Sequence, residues 1–222
     1  MLDCFKSAGK VETESRDATA FVNINLQNNV DLVIVPNSTP YIKVTAGENL
    51  IDGIITELSG NTLYIRNENR CNWVRSFNNT FTVEVGMNLP EKIDYYGSGN
   101  VSCKDSIRTD EFTFECWNGS GTIELLFYST KVHVNNNIGR ADFKLKGSCA
   151  VSYIYMNDVA TINAEDLQSS YTFITNRSTG DARINVNKEL SAEIDYIGNI
   201  YYTGKPYSIS KTITNEGQLI EF

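Results

Sequence analysis

Along most of the chain, apolar and polar residues alternate with a period of two. In the stretch GSGNVSC the apolar positions are Val101 and Cys103, and in GSGTIEL they are Ile123 and Leu125. A period of two places successive side chains on opposite faces of an extended strand, so that one face packs inward and the other meets solvent. The pattern therefore predicts an all-β protein built from many short strands.

The alternating stretches recur at steps of 18 to 22 residues, and each begins at a tight turn. The turn reads G-S-G at its clearest, and we align its second glycine with Gly139 of NIGRA, Asp158 of NDVAT, Gly180 of TGDAR and Gly198 of IGNIY. Glycine allows positive φ angles and aspartate tolerates them better than most residues, which would explain why an aspartate can replace the glycine. The residues expected to form these turns are Gly97, Gly99, Gly119, Gly121, Gly139, Asp158, Gly180 and Gly198.

A repeat of this length is typical of a solenoid, whose units cannot bury a face alone and therefore stack into a continuous core. A leucine-rich horseshoe would need leucines at fixed offsets, and a calcium-binding roll would need G-G-x-G-x-D; the sequence has neither pattern. We therefore predict a single-stranded parallel β-helix, right-handed, with about 20 residues per coil. A β-sandwich with regularly spaced turns is the alternative.

The two ends of the chain are less regular than its centre. Five alternating runs, FVNINL, VDLVIV, YIKVTA, TLYIR and FTVEV, begin the stack, and ENLIDGIITEL has the spacing of a short helical turn. We expect an N-terminal tail at 1–18, the β-helix at 19–206 and a C-terminal cap at 207–222. The 20-residue repeat stops before the last segment, so the cap is predicted to be a hairpin that turns at Asn215 to Gly217.

Composition limits the possible partners. The chain has 27 acidic and 19 basic side chains, a net charge of −8, which disfavours a nucleic-acid partner because phosphate binding needs a clustered basic face.

No run approaches the roughly 18 apolar residues that cross a bilayer. Met1 is followed by polar sequence rather than by a signal peptide, and we expect that a leader has been removed from this chain.

Longer motifs resemble a known family. The segment AGENLIDGIITELSGNTLYIRNENRCNW, the G-S-G turns and the closing DYIGNIYYTGKP are similar to the head GIN domain family, described as putative auto-transporter adhesins of Gram-negative bacteria. The resemblance extends from about Thr19 to Pro206 and includes the L-x-I strand at Leu63 to Ile65. The chain departs from the family pattern at NIGRA and NDVAT, where the leading glycine is missing.

This resemblance implies a secreted or lipid-anchored protein with the parallel β-helix fold and no established catalytic residues. We therefore expect a non-catalytic, extracytoplasmic protein, either adhesin-like in its binding or structural at the cell surface, with no cofactor and no metal. An extracellular glycan or another surface protein would be its partner. Membrane association would be peripheral, through a lipid anchor absent from this chain.

The aromatic content suggests where a ligand could bind. The chain has 12 tyrosines and 2 tryptophans, and the sequence YIY places Tyr153 and Tyr155 on one face of a strand. Aromatic faces stack on sugar rings, and tyrosine hydroxyls bond to sugar hydroxyls. If Ile154 and Met156 point inward, the two tyrosines are exposed and are candidate ligand-binding residues. In the opposite phase they belong to the core.

The five cysteines do not form a metal site by pattern, because no CxxC pair occurs and His133 is the one histidine. Cys103 and Cys116 follow the apolar alternation and are expected to face the core. Cys4 and Cys71 lie in polar sequence. We expect a disulfide between them that ties the N-terminal tail to the first coils, as suits an oxidising compartment.

The enzymatic alternative is a polysaccharide lyase or hydrolase of the pectinase-like β-helix type. Such chemistry needs converging carboxylates and a basic group. Nothing in the sequence brings the available residues into one cleft, and His133, between two valines on a predicted strand, is expected to be inert. The available residues are Asp142, Asp158, Glu165, Asp166 and Asp181, with Arg140, Arg177 and Arg183.

Overall fold

The chain forms an all-β solenoid of about 6 turns, in which backbone bridges join residues about 20 apart, as the repeat predicts. The structure is a computed structural model and describes residues 7–70 and 81–222. Cys4 and Cys71 lie outside the described residues, so their disulfide stays a prediction.

Strands and one 3-10 turn make up the regular structure of the described residues. The N-terminal strands are β1 (Val11–Arg16), β2 (Asn23–Asn28), β3 (Asp31–Pro36), β4 (Tyr41–Gly47), β5 (Ile54–Ser59), β6 (Thr62–Asn67), β7 (Thr82–Met87), β8 (Lys92–Gly97) and β9 (Val101–Cys103). The C-terminal strands are β10 (Glu111–Gly119), β11 (Thr122–Gly139), β12 (Asp142–Asp158), β13 (Thr161–Ser178), β14 (Ala182–Ile194), β15 (Ile200–Thr203), β16 (Ser208–Ile213) and β17 (Leu219–Glu221).

In the C-terminal half, successive coils stack in parallel register. Val134 of β11 pairs with Ile154 of β12, which pairs with Ile174 of β13. All three side chains are buried, so like apolar residues form continuous columns along the axis of the solenoid. Each long strand belongs to two stacks of strands. For example, β11 pairs with β9 through its first residues and with β10 through its last.

The N-terminal end is closed by antiparallel strands. The coil β2–β3 lies between β6–β7 on one side and β8–β9 on the other, all in parallel. Beyond it, β5 pairs antiparallel with β6, β4 with β7 and β1 with β4. Strand β1 lies in the segment expected to be a tail, and its exposed Glu12 and Glu14 give this edge the charge that discourages pairing with other chains.

The helical turn is shorter than its sequence pattern suggests. Only Ile51–Gly53 forms a 3-10 turn, and the chain continues directly into β5. The β-branched residues Ile54, Ile55 and Thr56 favour an extended backbone, which explains why the helical spacing does not produce a longer helix.

The turn residues occupy two columns rather than one. Gly119 pairs with Gly139, and Asp158 pairs with Ser178, which lies two residues before Gly180. Gly139 and Asp158 therefore share the column of the first glycine of G-S-G. The alignment of these two residues with the second glycine is therefore wrong by two positions. The backbone register places Ala141 and Ala160 in the second column, which contains Gly99, Gly121, Ala141, Ala160, Gly180, Gly198 and Gly217.

Close packing of the coils, rather than a positive φ, accounts for most of these glycines. Of the eight predicted turn residues, only Gly139 (φ 120°) and Asp158 (φ 67°) have a positive φ. A Cβ atom on Gly121 would lie 2.1 Å from the carbonyl oxygen of Gly99, and one on Gly198 would lie 2.2 Å from that of Gly180. A positive φ therefore explains the residue type at Gly139 and Asp158, but it does not explain the second glycine of the G-S-G turn.

The hairpin prediction for the C-terminal segment is wrong. Strand β16 pairs in parallel with β14, and β17 pairs in parallel with β15, so the segment adds another layer to the solenoid. Gly217 continues the second glycine column, since a Cβ atom there would lie 2.4 Å from the carbonyl oxygen of Gly198. Strands β14 and β15 each offer a free edge to the segment that follows them. The final segment pairs with these edges and so continues the repeat.

Candidate ligand-binding face

One outer face of the C-terminal coils carries the candidate ligand-binding tyrosines. Ile154 and Met156 are buried in the core, so Tyr153 and Tyr155 point outward and are half-buried. The structure therefore has the phase of the YIY strand in which the tyrosines are on the surface. We call this surface the aromatic face; it is formed by the outward residues of 111–116, 131–136, 151–156, 171–176, 189–194 and 208–213.

Three rings on this face form a continuous stack. His133, Tyr153 and Phe173 are in register on β11, β12 and β13. The His133 and Tyr153 ring centroids are 4.6 Å apart with an interplanar angle of 9°, and those of Tyr153 and Phe173 are 5.1 Å apart at 12°. Because neighbouring strands lie about 4.8 Å apart, identical positions on parallel strands bring planar rings into face-to-face contact. We call these three residues the aromatic ladder.

The aromatic ladder changes the role expected of Tyr153. Its two ring faces are covered by His133 and Phe173, so that it presents only its edge and hydroxyl to the outside. Phe173 ends the stack and is 44% exposed. The residue with a free aromatic face is therefore Phe173, which the sequence analysis missed. The ladder residues recur every 20 positions, and this spacing was the signal that could have identified them.

Tyr155 lies in a neighbouring outward column between two polar residues, Asn135 and Thr175. The guanidinium carbon of Arg177 is 6.0 Å from the centre of its ring, at the outer limit of a cation–π contact. Beside it lies an open depression of about 290 Å³. The lining residues are Asn135, Tyr153, Ile154, Tyr155, Phe173, Ile174, Thr175, Ser191 and Glu193.

Carboxylates border the aromatic ladder. His133 Nε2 lies 3.0 Å from Glu111 Oε1, a close polar contact that lacks the alignment of a hydrogen bond. Lys131 Nζ is 3.4 Å from the other oxygen of Glu111. Glu115 accepts hydrogen bonds from the side-chain amides of Asn135 (2.8 Å) and Asn137 (2.7 Å). The rim of the face is therefore rich in oriented hydrogen-bond acceptors.

The basic groups near the depression are held by acidic partners. Arg177 Nε donates to Asp195 Oδ2 at 2.8 Å, and its terminal nitrogen is 3.7 Å from Glu193 Oε1. The hydroxyl of Thr214 and the guanidinium of Arg177 lower the pKa of Asp195. This carboxylate stays ionised, and the arginine charge is directed toward it rather than toward the depression.

A larger cleft of about 1060 Å³ adjoins the aromatic face. Arg108 lies over the ring of Tyr128 there, 4.7 Å from its centre. Cys149 also lines the cleft, and burial raises the pKa of its thiol to about 12, so that the unreactive protonated form prevails at neutral pH. The lining residues are Asn23, Leu89, Glu91, Lys92, Arg108, Thr109, Asp110, Glu111, Thr113, Tyr128, Ser129, Thr130, Ser148, Cys149 and Ala150.

Three of the carboxylates considered for a lyase or hydrolase make contacts between coils instead. Asp158 Oδ2 accepts from the backbone N–H of Gly139 at 2.9 Å, and Asp181 Oδ1 accepts from that of Asn199 at 2.8 Å. Glu165 pairs with Arg183 at 2.7 Å. Neither depression described above is lined by any of the candidates Asp142, Asp158, Glu165, Asp166 and Asp181.

Within residues 7–70 and 81–222, no helix is long and apolar enough to span a bilayer. No group of three or more histidine, cysteine, aspartate or glutamate side chains in the same ranges is arranged to hold a metal ion.

Known proteins share this fold over nearly its whole length. A putative adhesin from Bacteroides fragilis is 20% identical, with a TM-score of 0.88 over 96% of this chain and 97% of that chain. A putative adhesin from Parabacteroides distasonis is 15% identical, with a TM-score of 0.71 over 96% and 98%. A putative lipid binding protein from the same species is 18% identical, with a TM-score of 0.68 over 96% and 97%.

Sequence comparison supplies the family. Among curated proteins, none matches this chain significantly. The model of the family described as "Putative auto-transporter adhesin, head GIN domain" matches residues 20–206, which include the aromatic ladder and both glycine columns except Gly217. The resemblance read from the G-S-G turns is thereby confirmed, and the chain belongs to the head GIN domain family of putative auto-transporter adhesins.

Proposed function

We propose that this protein is a non-catalytic, extracytoplasmic, adhesin-like protein that binds a glycan through the aromatic face. The observation that carries the proposal is the outward ladder of His133, Tyr153 and Phe173, with the free face of Phe173 at its end. Apolar C–H groups of a sugar pack on an aromatic face, and its hydroxyls need polar partners nearby. The adhesin-like family supports a binding role, while the glycan is our inference from the surface.

The polar groups around the depression suit hydroxyl recognition. Asn135, Thr175 and Glu193 line it together with Tyr155, so that amide, hydroxyl and carboxylate groups surround an aromatic centre. All of them are on strands of one parallel stack. Side chains on strands are positioned more rigidly than those on loops, which lowers the entropic cost of holding a ligand.

A glycan array tests this function. The wild-type protein is expected to bind a subset of glycans, and the double variant Tyr153→Ala/Tyr155→Ala is expected to lose at least tenfold in affinity. Tyr64→Ala/Tyr96→Ala is the matched control, because those tyrosines are also on the surface but lie toward the N-terminal end of the solenoid. Circular dichroism of each variant monitors folding. Absence of binding by the wild type, or equal loss in both double variants, would contradict the proposal.

A further inference from the structure

The aromatic ladder stops before the end of its column. The column continues from Phe173 to Ser191 on β14 and then to Ser210 on β16. Successive positions in it are one strand spacing apart, about 4.8 Å. Two short side chains therefore follow three stacked rings, and the outer face of Phe173 has no ring against it.

We propose that this gap is a slot for one neutral pyranose ring, which stacks on Phe173 above Ser191 as a fourth ring of the ladder. The inference rests on the proposed glycan-binding function and adds to it the position and the chemical class of the bound sugar. Phe173, Ser191 and Thr175 all line the depression, which places open space beside the free ring face.

The dimensions of the slot fit a single ring. The two ring steps within the ladder are 4.6 Å and 5.1 Å, so a further ring at the same step would lie over Ser191. The depression has a volume of about 290 Å³. Small-molecule sites usually range from about 300 to 1,000 Å³, so this one is suited to a small ligand group rather than to an extended chain.

The charge of the slot favours a neutral sugar. Glu193 is the charged group in its lining, and it also accepts a hydrogen bond from Thr175 at 3.2 Å. Arg177, a cation near the slot, is paired with Asp195 and Glu193. Glu189, on strand β14 with Ser191 and Glu193, adds a further negative charge. Hydroxyl groups can donate to these carboxylates, whereas the carboxylate of an acidic sugar would be repelled by them.

If a protein side chain fills the slot, the sugar should no longer bind. An outward position of the column can accept a larger side chain with little disturbance of the fold. Ser191→Tyr would supply the fourth ring itself. Thr113→Tyr is the matched control, since Thr113 lies in the same column beyond His133, at the opposite end of the ladder. The probes are the methyl pyranosides of glucose, galactose, mannose and N-acetylglucosamine, together with methyl glucuronide, and binding is followed by NMR shifts of the Ser191 amide and the Phe173 ring.

At least one neutral glycoside is expected to shift both signals in the wild type, with methyl glucuronide at least tenfold weaker. Ser191→Tyr should weaken this binding at least tenfold while Thr113→Tyr retains it, and unchanged thermal melting would show that both variants are folded. Phe173→Leu, which removes the ring but keeps an apolar side chain, should also lose binding. If the sugars bind with shifts elsewhere and Ser191→Tyr binds normally, the slot is overturned while the glycan function stands. If no glycoside binds at all, both are overturned.

Discussion

A Cβ atom placed on Gly180 would lie 1.9 Å from the carbonyl oxygen of Ala160, in the coil below. Ordinary carbon–oxygen contacts are more than 1 Å longer, so the side chain of any other residue would push the two coils apart. The same relationship holds between Gly121 and Gly99, at 2.1 Å. Where this column contains glycine, neighbouring coils therefore approach more closely than a Cβ atom would allow.

Gly180→Ala should consequently destabilise the protein. The obstacle is backbone, which cannot rotate away, so we expect a loss at or above the upper end of the 1–3 kcal/mol that overpacking usually costs, about 3 kcal/mol. Urea denaturation measures it. Thr179→Ala is the control, because Thr179 is the exposed neighbour and should change stability by less than about 0.5 kcal/mol. Equal midpoints for the two variants would show that the coils can separate without cost.

The fold was predictable from sequence because period-two alternation and a step of about 20 residues both point to stacked coils. The register was less predictable. Alignment by glycine alone misplaced Gly139 and Asp158, because Ala141 and Ala160 occupy the second column without being glycine. A column is defined by strand pairing, and a search for one residue type does not reveal it.

The candidate site was predictable only in part. YIY correctly marked Tyr153 and Tyr155 as a possible surface pair, but alternation within one strand carries no information about the strands on either side. The covered faces of Tyr153 follow from His133 and Phe173, which contact it across the sheet. Comparison of positions 20 residues apart would have found the ladder. The depression itself depends on side-chain volumes in four coils, which no single motif encodes.

Polar residues that follow the second glycine column link one coil to the next. Asp181 Oδ1 accepts from the backbone N–H of Asn199 at 2.8 Å, and Asn199 Oδ1 accepts from that of Gln218 at 3.0 Å. Asp181→Ala should therefore cost about 1 kcal/mol, whereas Asp181→Asn keeps an acceptor oxygen and should cost less than half of that. Thermal or urea unfolding distinguishes them. If the two variants are equally destabilised, the charge rather than the hydrogen bond matters at this position.

The buried hydroxyl of Tyr95 should make the protein sensitive to alkali. It donates to the carbonyl oxygen of Gly99 (2.7 Å) and accepts from the N–H of Gly121 (3.0 Å), and burial raises its pKa from 10.0 to about 12. Between these values the unfolded chain has lost the proton and the folded chain has kept it, so stability is full below pH 10 and falls as the pH rises toward 12. The loss from Tyr95 alone is about 1 kcal/mol by pH 11.

Tyr95→Phe separates this effect from simple loss of the hydrogen bonds. The variant should be less stable at pH 8 by about 1–3 kcal/mol, because two buried backbone groups lose their partner. Its further decrease between pH 9 and pH 11 should be about 1 kcal/mol smaller than that of the wild type. Burial also raises the pKa of Cys116 to about 11, which adds a decrease of the same sign to both proteins. Denaturation in the presence of reductant gives both slopes, and parallel slopes would contradict the assignment to Tyr95.

The open edge of the last coil carries a charge in an inward position. Ile209, Lys211 and Ile213 of β16 continue the buried columns of Leu190, Ala192 and Ile194. Among the described residues β16 pairs only with β14, so the two isoleucines, 43% and 39% exposed, form an apolar edge that another chain could cover. An inward-pointing lysine at such an edge is a known protection against edge-to-edge association.

Lys211→Ile should therefore produce self-association that increases with protein concentration, because it completes an uninterrupted apolar stripe on an unpaired strand edge. Size-exclusion chromatography with light scattering measures the mass of the species formed. Lys205→Ile is the matched control: it removes the same charge and adds the same apolar side chain, but Lys205 is exposed and lies outside the strand. If both variants remain monomeric over the same concentration range, the edge is protected by something other than Lys211; if both associate, added hydrophobicity alone is the cause.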